Sequence, residues 1–299
     1  FNSLKNYSTK TFVSDLIAGV IVGVVALPLA IAFAIASGVS PERGLFTAII
    51  AGFCISFFGG SKVQIGGPTG AFAVIVYGVV NKFGYEGLVI ATIMAGILLI
   101  LLGAFKMGGL VKFIPYTIVT GFTAGIAVTI LTGQIGDFFG LTTGKMPGDF
   151  VGKIKVYIES FNTINWYSFG IAAISLIVIF LWPKINKKVP GSLIVIILAT
   201  VVSLILEHTL GWKTDTIGSR YGAIPSSLPA PTIPGISLDL IKQLFPTAVS
   251  IAVLAAIESL LSAVVADGMI GSKHDSNTEL IAQGIANIAS PIFGGIPAT

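Results

Sequence analysis

Seven apolar runs organise the chain, at roughly 14–37, 44–59, 87–105, 113–132, 167–182, 191–206 and 243–266. Each is near the ~20 residues that an α-helix needs to cross a bilayer. Two more segments, Pro68–Val80 and the stretch 278–293, are too short or too interrupted to span alone. The expectation is an all-α polytopic membrane protein with about nine membrane segments. Composition agrees: 54% of residues are hydrophobic and 10% charged, against about 25% charged in a soluble domain. The 36 glycines fall largely inside apolar segments, which suits close helix contacts in lipid. Gly19 with Gly23, and Gly121 with Gly125, are small-residue pairs on one helix face.

Charge excludes some functions and orients the chain. A net charge of +4, with lysines scattered over loops, makes no basic patch for nucleic acid. The lone Cys54 permits no intrachain disulfide and sits in an apolar run, as a packed thiol does. Lys184, Lys187 and Lys188 crowd a short loop between two spans and mark it as cytoplasmic. Lys5, Lys10, Lys62, Lys106 and Lys112 fall on the same side if the segments alternate. The long loops 133–166 and 207–240 lie opposite, mixed with Asp137, Asp149, Glu159, Asp215 and Asp239. A cell-membrane protein with its N-terminus inside is expected. Asn2–Ser14 is polar and the run after it too long for a signal peptide. Ala298-Thr299 reads as a helix start, so the expectation is a fragment of a longer chain.

Inside the last long run stands an acid, Glu258, midway between Pro246 and Asp267. A charge at mid-membrane costs roughly 3 kcal/mol on insertion scales and is normally kept for a polar cavity, an ion or a proton path. The alternative is a neutral acid hydrogen-bonded between helices. The short segment is a second anomaly. Gly66-Gly67-Pro68-Thr69-Gly70 precedes an apolar helix of only ~20 Å at 1.5 Å per residue, too short for a core of about 30 Å. Pro68 suits a first helical turn, and Val63 to Gly67 reads as extended chain. A strand leading into a half-helix is the pattern of a broken transporter helix, whose free N–H groups attract anions. An ordinary Gly-Pro turn is the alternative. Phe58-Gly59-Gly60 and Gly66-Gly67-Pro68-Thr69 are echoed by Phe293-Gly294-Gly295-Ile296-Pro297-Ala298-Thr299. An odd number of spans between the copies would invert the repeats, so that the two half-helices meet head to head beside Glu258.

Three blocks then carry a resemblance. Asp15-Leu-Ile-Ala-Gly-Val with Val25-Ala-Leu-Pro-Leu-Ala-Ile-Ala-Phe-Ala, and Ile65-Gly-Gly-Pro-Thr-Gly-Ala-Phe, resemble the first and third segments of the SulP family of inorganic anion transporters. Ala256-Ile-Glu-Ser-Leu-Leu-Ser, followed by Lys273-His-Asp-Ser-Asn-Thr-Glu-Leu-Ile-Ala-Gln-Gly-Ile-Ala-Asn, resembles the family's most diagnostic block. The resemblance runs through essentially the whole chain. It implies the 7+7 inverted-repeat transporter fold, with core segments at about 14–105 and 243–299 and gate segments at about 113–206. Later segments and a STAS domain would lie outside this chain.

The resemblance also implies a site and a function. A small inorganic anion of the bicarbonate or sulfate class would bind Gly67, Pro68, Thr69 and Gly70 from one half-helix and Pro297, Ala298 and Thr299 from the other. Glu258 and Ser262 stand where the bicarbonate branch binds sodium. That branch has aspartate where this chain has glutamate, so sodium and a proton both stay open as coupling ion. Leu29, where many sulfate-type members carry glutamine, speaks against sulfate without excluding it. Secondary active transport by a core domain moving against a gate, and a homodimer, are the implied mechanism and assembly. Alternatives are a nucleobase carrier of the same fold, a channel-like or motor member, and a membrane anchor that transports nothing. His274, Asp275 and Glu279 are too few and too widely spaced for a metal site, and Asn277 and Glu279 read as caps of the next helix. No nucleophile–His–acid set shares a polar pocket in this reading, so no enzyme is expected.

Overall fold

The computed structural model describes residues 7–109, 116–144, 146–186, 189–212, 215–235 and 237–299, and every regular element among them is helical. Lys5, Lys112, Lys187 and Lys188 of the orientation argument lie outside the described residues. The helices are α1 (Thr9–Ala36), α2 (Pro41–Phe58), α3 (Ala73–Ala104), α4 (Tyr116–Phe139) and α5 (Phe150–Glu159). They continue as α6 (Trp166–Ile185), α7 (Gly191–Leu210), α8 (Ile217–Tyr221), α9 (Leu238–Ile270) and α10 (Ser276–Ile292). A 3-10 turn, Gly70–Phe72, leads into α3. Among the described residues six helical segments are long and apolar enough to cross a membrane: α1, α2, the 3-10 turn with α3, α6, α7 and α9.

Local chemistry explains where the helices run past the apolar stretches. Ser8 accepts the N–H of Thr11 and starts α1 ahead of its first apolar run. Ser237 accepts the N–H of Leu240 and starts α9 before residue 243, carrying Pro246 inside the helix. Ser40 precedes Pro41 at the first turn of α2, where proline's missing N–H costs nothing. The polar loop 133–166 contains α5, capped by Asp149 on Gly152 N–H; a ten-residue helix leaves no membrane-length signature in the sequence.

The expected half-helix and the span after it are one segment broken at Gly84. Its φ of 69° and ψ of −176° interrupt α3, a conformation that glycine adopts without the strain of a Cβ. The half-helix therefore runs to Phe83, and the rest of α3 continues from Tyr85.

The described residues fall into two compact units, and the division runs through α1 and α4. The second unit comprises Tyr7–Ala26 and Ala127–Ala223. In it Phe139 and Phe169 stack at 5.3 Å, and Arg220 pairs with Asp137 at 2.8 Å and Asp215 at 2.9 Å. Its helices α6 and α7 leave Ile174, Phe180 and Leu204 exposed, as faces in hydrocarbon are.

The first unit comprises Leu27–Ile126 and Ile224–Thr299, and here α2, α3, α9 and α10 pack together. Phe72, Val76, Leu88, Leu99, Leu244, Ile251, Leu260 and Leu280 form its core. Cys54 is buried beside Ala51, Ile55, Ala286 and Ala298. A close crossing joins α3 to α10 through glycine. A Cβ on Gly284 would stand 2.6 Å from Gly96 O, and one on Gly96 2.7 Å from Gly284 O. By contrast, a Cβ on Gly19, Gly23, Gly121 or Gly125 meets nothing within 4 Å, so those pairs do not make this packing. Gly284→Ala is expected to destabilise by about 1–3 kcal/mol through backbone separation, despite alanine's better helix propensity. Gly23→Ala should be neutral or mildly stabilising. Melting temperatures of the detergent-solubilised variants check both, and equal melting would refute the crossing.

Candidate anion and cation site

Between α2 and α3 the chain runs without helix from Gly59 to Thr69. Proline biases the residue before it toward extended backbone, which places Gly67 in position to pair. Gly67 N–H donates to Thr299 O at 3.0 Å, and Thr299 N–H returns a bond to Gly67 O at 3.1 Å. The two glycine-proline breaks, more than two hundred residues apart in sequence, thus meet backbone to backbone.

Thr69 is the residue from which the half-helix starts. Its hydroxyl accepts Ala71 N–H at 3.3 Å and donates to Glu258 Oε1 at 2.9 Å. Pro68 therefore stands one residue before the cap, not in the first helical turn as expected. The chain stays extended through Thr69 (φ −129°, ψ 149°) and Gly70 opens the turn. Among the described residues, no hydrogen bond is formed by Gly70 N–H. Glu258 spends one oxygen on Thr69, while Oε2 is buried with no partner among the described residues. One spare N–H donor, one hydroxyl and one spare carboxylate oxygen are thus gathered where the breaks meet. Such a set suits an anion on the donor side and a cation or proton on the acid.

The other expected site residues are placed as follows. Pro297 and Ala298 are buried, and Ala298 is held through both peptide atoms by the Asn287 side chain, at 2.9 Å on its N–H and 2.7 Å on its carbonyl. The Thr299 hydroxyl reaches Ala255 O at 3.5 Å. Ser262 is exposed, one turn beyond Glu258, and no hydrogen bond joins the two.

The sequence reading missed the scaffold beneath this site. Glu279, Gln283, Asn287 and Ser290 form one fully buried polar stripe on α10. Glu279 does not cap α10. Asp275 does, accepting Asn277 N–H at 3.0 Å and Thr278 N–H at 3.1 Å. The Thr278 N–H holds the Asp275 carboxyl below the usual carboxylate range. Asn277 instead turns its side chain to Gly108 N–H at 3.0 Å. Ser290 donates to Ile296 O at 2.8 Å, and Thr47 accepts Ile296 N–H at 2.7 Å. Polar residues three or four apart share a helix face, so their spacing within an apolar segment was the available signal.

Contrary to the expectation that no nucleophile–His–acid set comes together, the α9–α10 turn gathers Asp267, His274 and Ser276. Asp267 Oδ2 lies 2.7 Å from His274 Nδ1, and His274 Nε2 lies 2.9 Å from Ser276 Oγ. Gly271 in the left-handed conformation folds the chain back and brings the three together. Asp267 also accepts His274 N–H and the Ser272 hydroxyl, both at 2.9 Å, so the set staples a turn. Among the described residues, no three His, Cys, Asp or Glu side chains group as a metal site.

Comparison with known proteins adds the family. The sulfate permease family model matches residues 12–299. YvdB of Bacillus subtilis (strain 168), which carries a sulfate-transporter name, is 51% identical over 99% of this chain and 55% of its own length. The bicarbonate transporter BicA of Synechocystis sp. (strain ATCC 27184 / PCC 6803 / Kazusa) is 33% identical over 94% of this chain and 50% of its own. The chain thus spans about half the length of the curated relatives it matches. The solved transmembrane domain of a cyanobacterial BicA superposes with a TM-score of 0.84 at 30% identity, over 98% of this chain and 75% of that one. SLC26A9 superposes at 0.80 with 20% identity, a likeness of fold. The fold is that of these all-helical 7+7 inverted-repeat membrane domains, and the chain belongs to the sulfate permease family.

Proposed function

We propose that the protein moves a small inorganic anion of the sulfate or bicarbonate class across the cell membrane by secondary active transport. The observation that carries this reading is the meeting of Gly67, Thr69, Thr299 and Glu258 at the two chain breaks. The anion would sit on the free N–H of Gly70 beside Thr69, whose hydroxyl can donate to it once it lets go of Glu258, with Pro68, Pro297 and Ala298 shaping the site. The driver would be sodium or a proton taken up at Glu258. Ser262 supplies a sodium ligand only if its hydroxyl turns toward the acid. Alternating access of a core against a gate is the mechanism this implies, and a homodimer the expected assembly. The family match favours an inorganic anion over a nucleobase.

Uptake into liposomes tests the reading. The full-length protein should accumulate radiolabelled sulfate or bicarbonate under an imposed sodium or proton gradient, and an excess of the unlabelled anion should compete. No accumulation of either anion under either gradient would sink it.

The lysine pattern supports a cytoplasmic N-terminus. Cysteine introduced at Lys184 should then resist an impermeant thiol reagent in intact cells, whereas cysteine at Lys153 reacts. Reversed labelling would invert the orientation.

A further inference from the structure

Glu279 is as deeply buried as the apolar core and, among the described residues, forms no ion pair. Four donors converge on it instead. Gly60 N–H at 2.9 Å and Ser61 N–H at 3.2 Å meet Oε2. The Ser259 hydroxyl at 3.3 Å and Gln283 Nε2 at 3.2 Å meet Oε1. None of these is a cap of its own helix. Two belong to the start of the non-helical lead that ends at Thr69, and one to the residue beside Glu258.

Ser259 links the acid to the middle of that lead. Its hydroxyl oxygen accepts Gln283 Nε2 at 2.8 Å and Gln64 Nε2 at 2.9 Å, and Gln64 Nε2 also reaches Ser259 O at 3.1 Å. Gln64 and Gln283 turn their N–H groups inward and leave both Oε1 atoms buried without partners among the described residues. That arrangement is costly for two amides free to rotate, because an unmet buried acceptor forfeits its hydrogen bond to water. Glu279 as acceptor explains it, since its Oε1 takes donors from both Ser259 and Gln283. Ser259 then has its proton committed and accepts from Gln64.

Extended chain advances about 3.3 Å per residue with side chains alternating between faces. The chain bends at Gly60, Lys62 and Val63 and runs without a bend from Gln64 to Thr69. Fixing Gln64, with Gly60 and Ser61 holding the bends before it, therefore constrains which face Thr69 presents on arrival. We propose that Glu279, acting through Ser259 and Gln64, is a positioning residue that sets where Thr69 meets Glu258. The inference rests on the reading of Thr69 as part of the anion site.

Glu279→Gln has a route to fold. The new amide oxygen can keep Gly60 and Ser61, and its NH2 can be met by the idle Oε1 of a rotated Gln283. Ser259 and Gln64 are then rewired. With the full-length protein in liposomes and radiolabelled sulfate and bicarbonate as probes, the half-saturating anion concentration should rise roughly tenfold, about the value of one hydrogen bond. The maximal rate should change by less. The decisive measurement is a double-mutant cycle with Thr69→Val. If Glu279 acts through Thr69, Glu279→Gln adds little in the Thr69→Val background, an outcome a merely structural acid would not give. Gln64→Leu, at a half-buried position, runs the same cycle should Glu279→Gln fail to insert. A silent Glu279→Gln, or effects that add, would overturn the positioning role while leaving the site reading intact. If Thr69→Val alone transports as the parent does, the anion-site reading fails first and the positioning role with it.

Discussion

Anion uptake is expected to fall by at least about a hundredfold in a Thr69→Trp variant that still inserts normally, a loss equivalent to roughly 2.7 kcal/mol. The threonine is half-buried, caps the half-helix through Ala71 N–H and gives its hydroxyl proton to Glu258. An indole fills the space beside the Gly67–Thr299 pair and has no oxygen with which to accept Ala71 N–H. It blocks the anion by volume and removes the cap at once. Membrane extraction and melting of the purified variant separate this outcome from misfolding. Thr69→Ser keeps the hydroxyl and should retain most uptake. Normal uptake by a stable Thr69→Trp variant would remove the half-helix from the anion site altogether.

The parts of this structure legible in the sequence are those set by runs and breaks. A long apolar stretch has one economical form in lipid, so α1, α2, α6, α7 and α9 could be read from length. The glycine-proline breaks could be read as a pair, because proline and glycine restrict backbone geometry locally, and the structure brings Gly67 and Thr299 together. What stayed hidden depends on partners distant in sequence. Gly84 breaks α3, yet in a chain with 36 glycines nothing local marks it out. The Gly96–Gly284 crossing needs both helices placed before either glycine matters. Glu279 looked like a helix-start acid since it lies near the first turn of α10, but Asp275 takes that task and Glu279 turns inward to Gly60 and Ser61. The buried stripe from Glu279 to Ser290 was legible in its spacing. Its purpose was not, because the backbone it holds belongs to other segments.

Glu258→Gln should separate folding from energy coupling. In the structure Glu258 Oε1 accepts from the Thr69 hydroxyl, and Oε2 is buried with no partner among the described residues. Glutamine keeps an acceptor toward Thr69 and places a neutral NH2 where Oε2 stands, so the fold should survive with a melting temperature within a few degrees of the parent. What is lost is the capacity to hold a charge. An ionised carboxylate at mid-membrane is costly, and a cation or proton arriving there offsets that cost. On the proposed reading, binding of the driver at Glu258 and of the anion beside Thr69 would be linked through one hydrogen bond. With the amide there is no charge to neutralise, so anion uptake should no longer follow either an imposed sodium gradient or an imposed proton gradient. The parent response names the driver: dependence on sodium alone assigns an oxygen-ligated cation, and Ser262→Ala should then weaken the sodium response. Dependence on pH alone assigns the proton to Glu258 and leaves Ser262→Ala without effect. If Glu258→Gln follows both gradients as the parent does, the acid is a structural partner of Thr69 and the coupling must lie elsewhere.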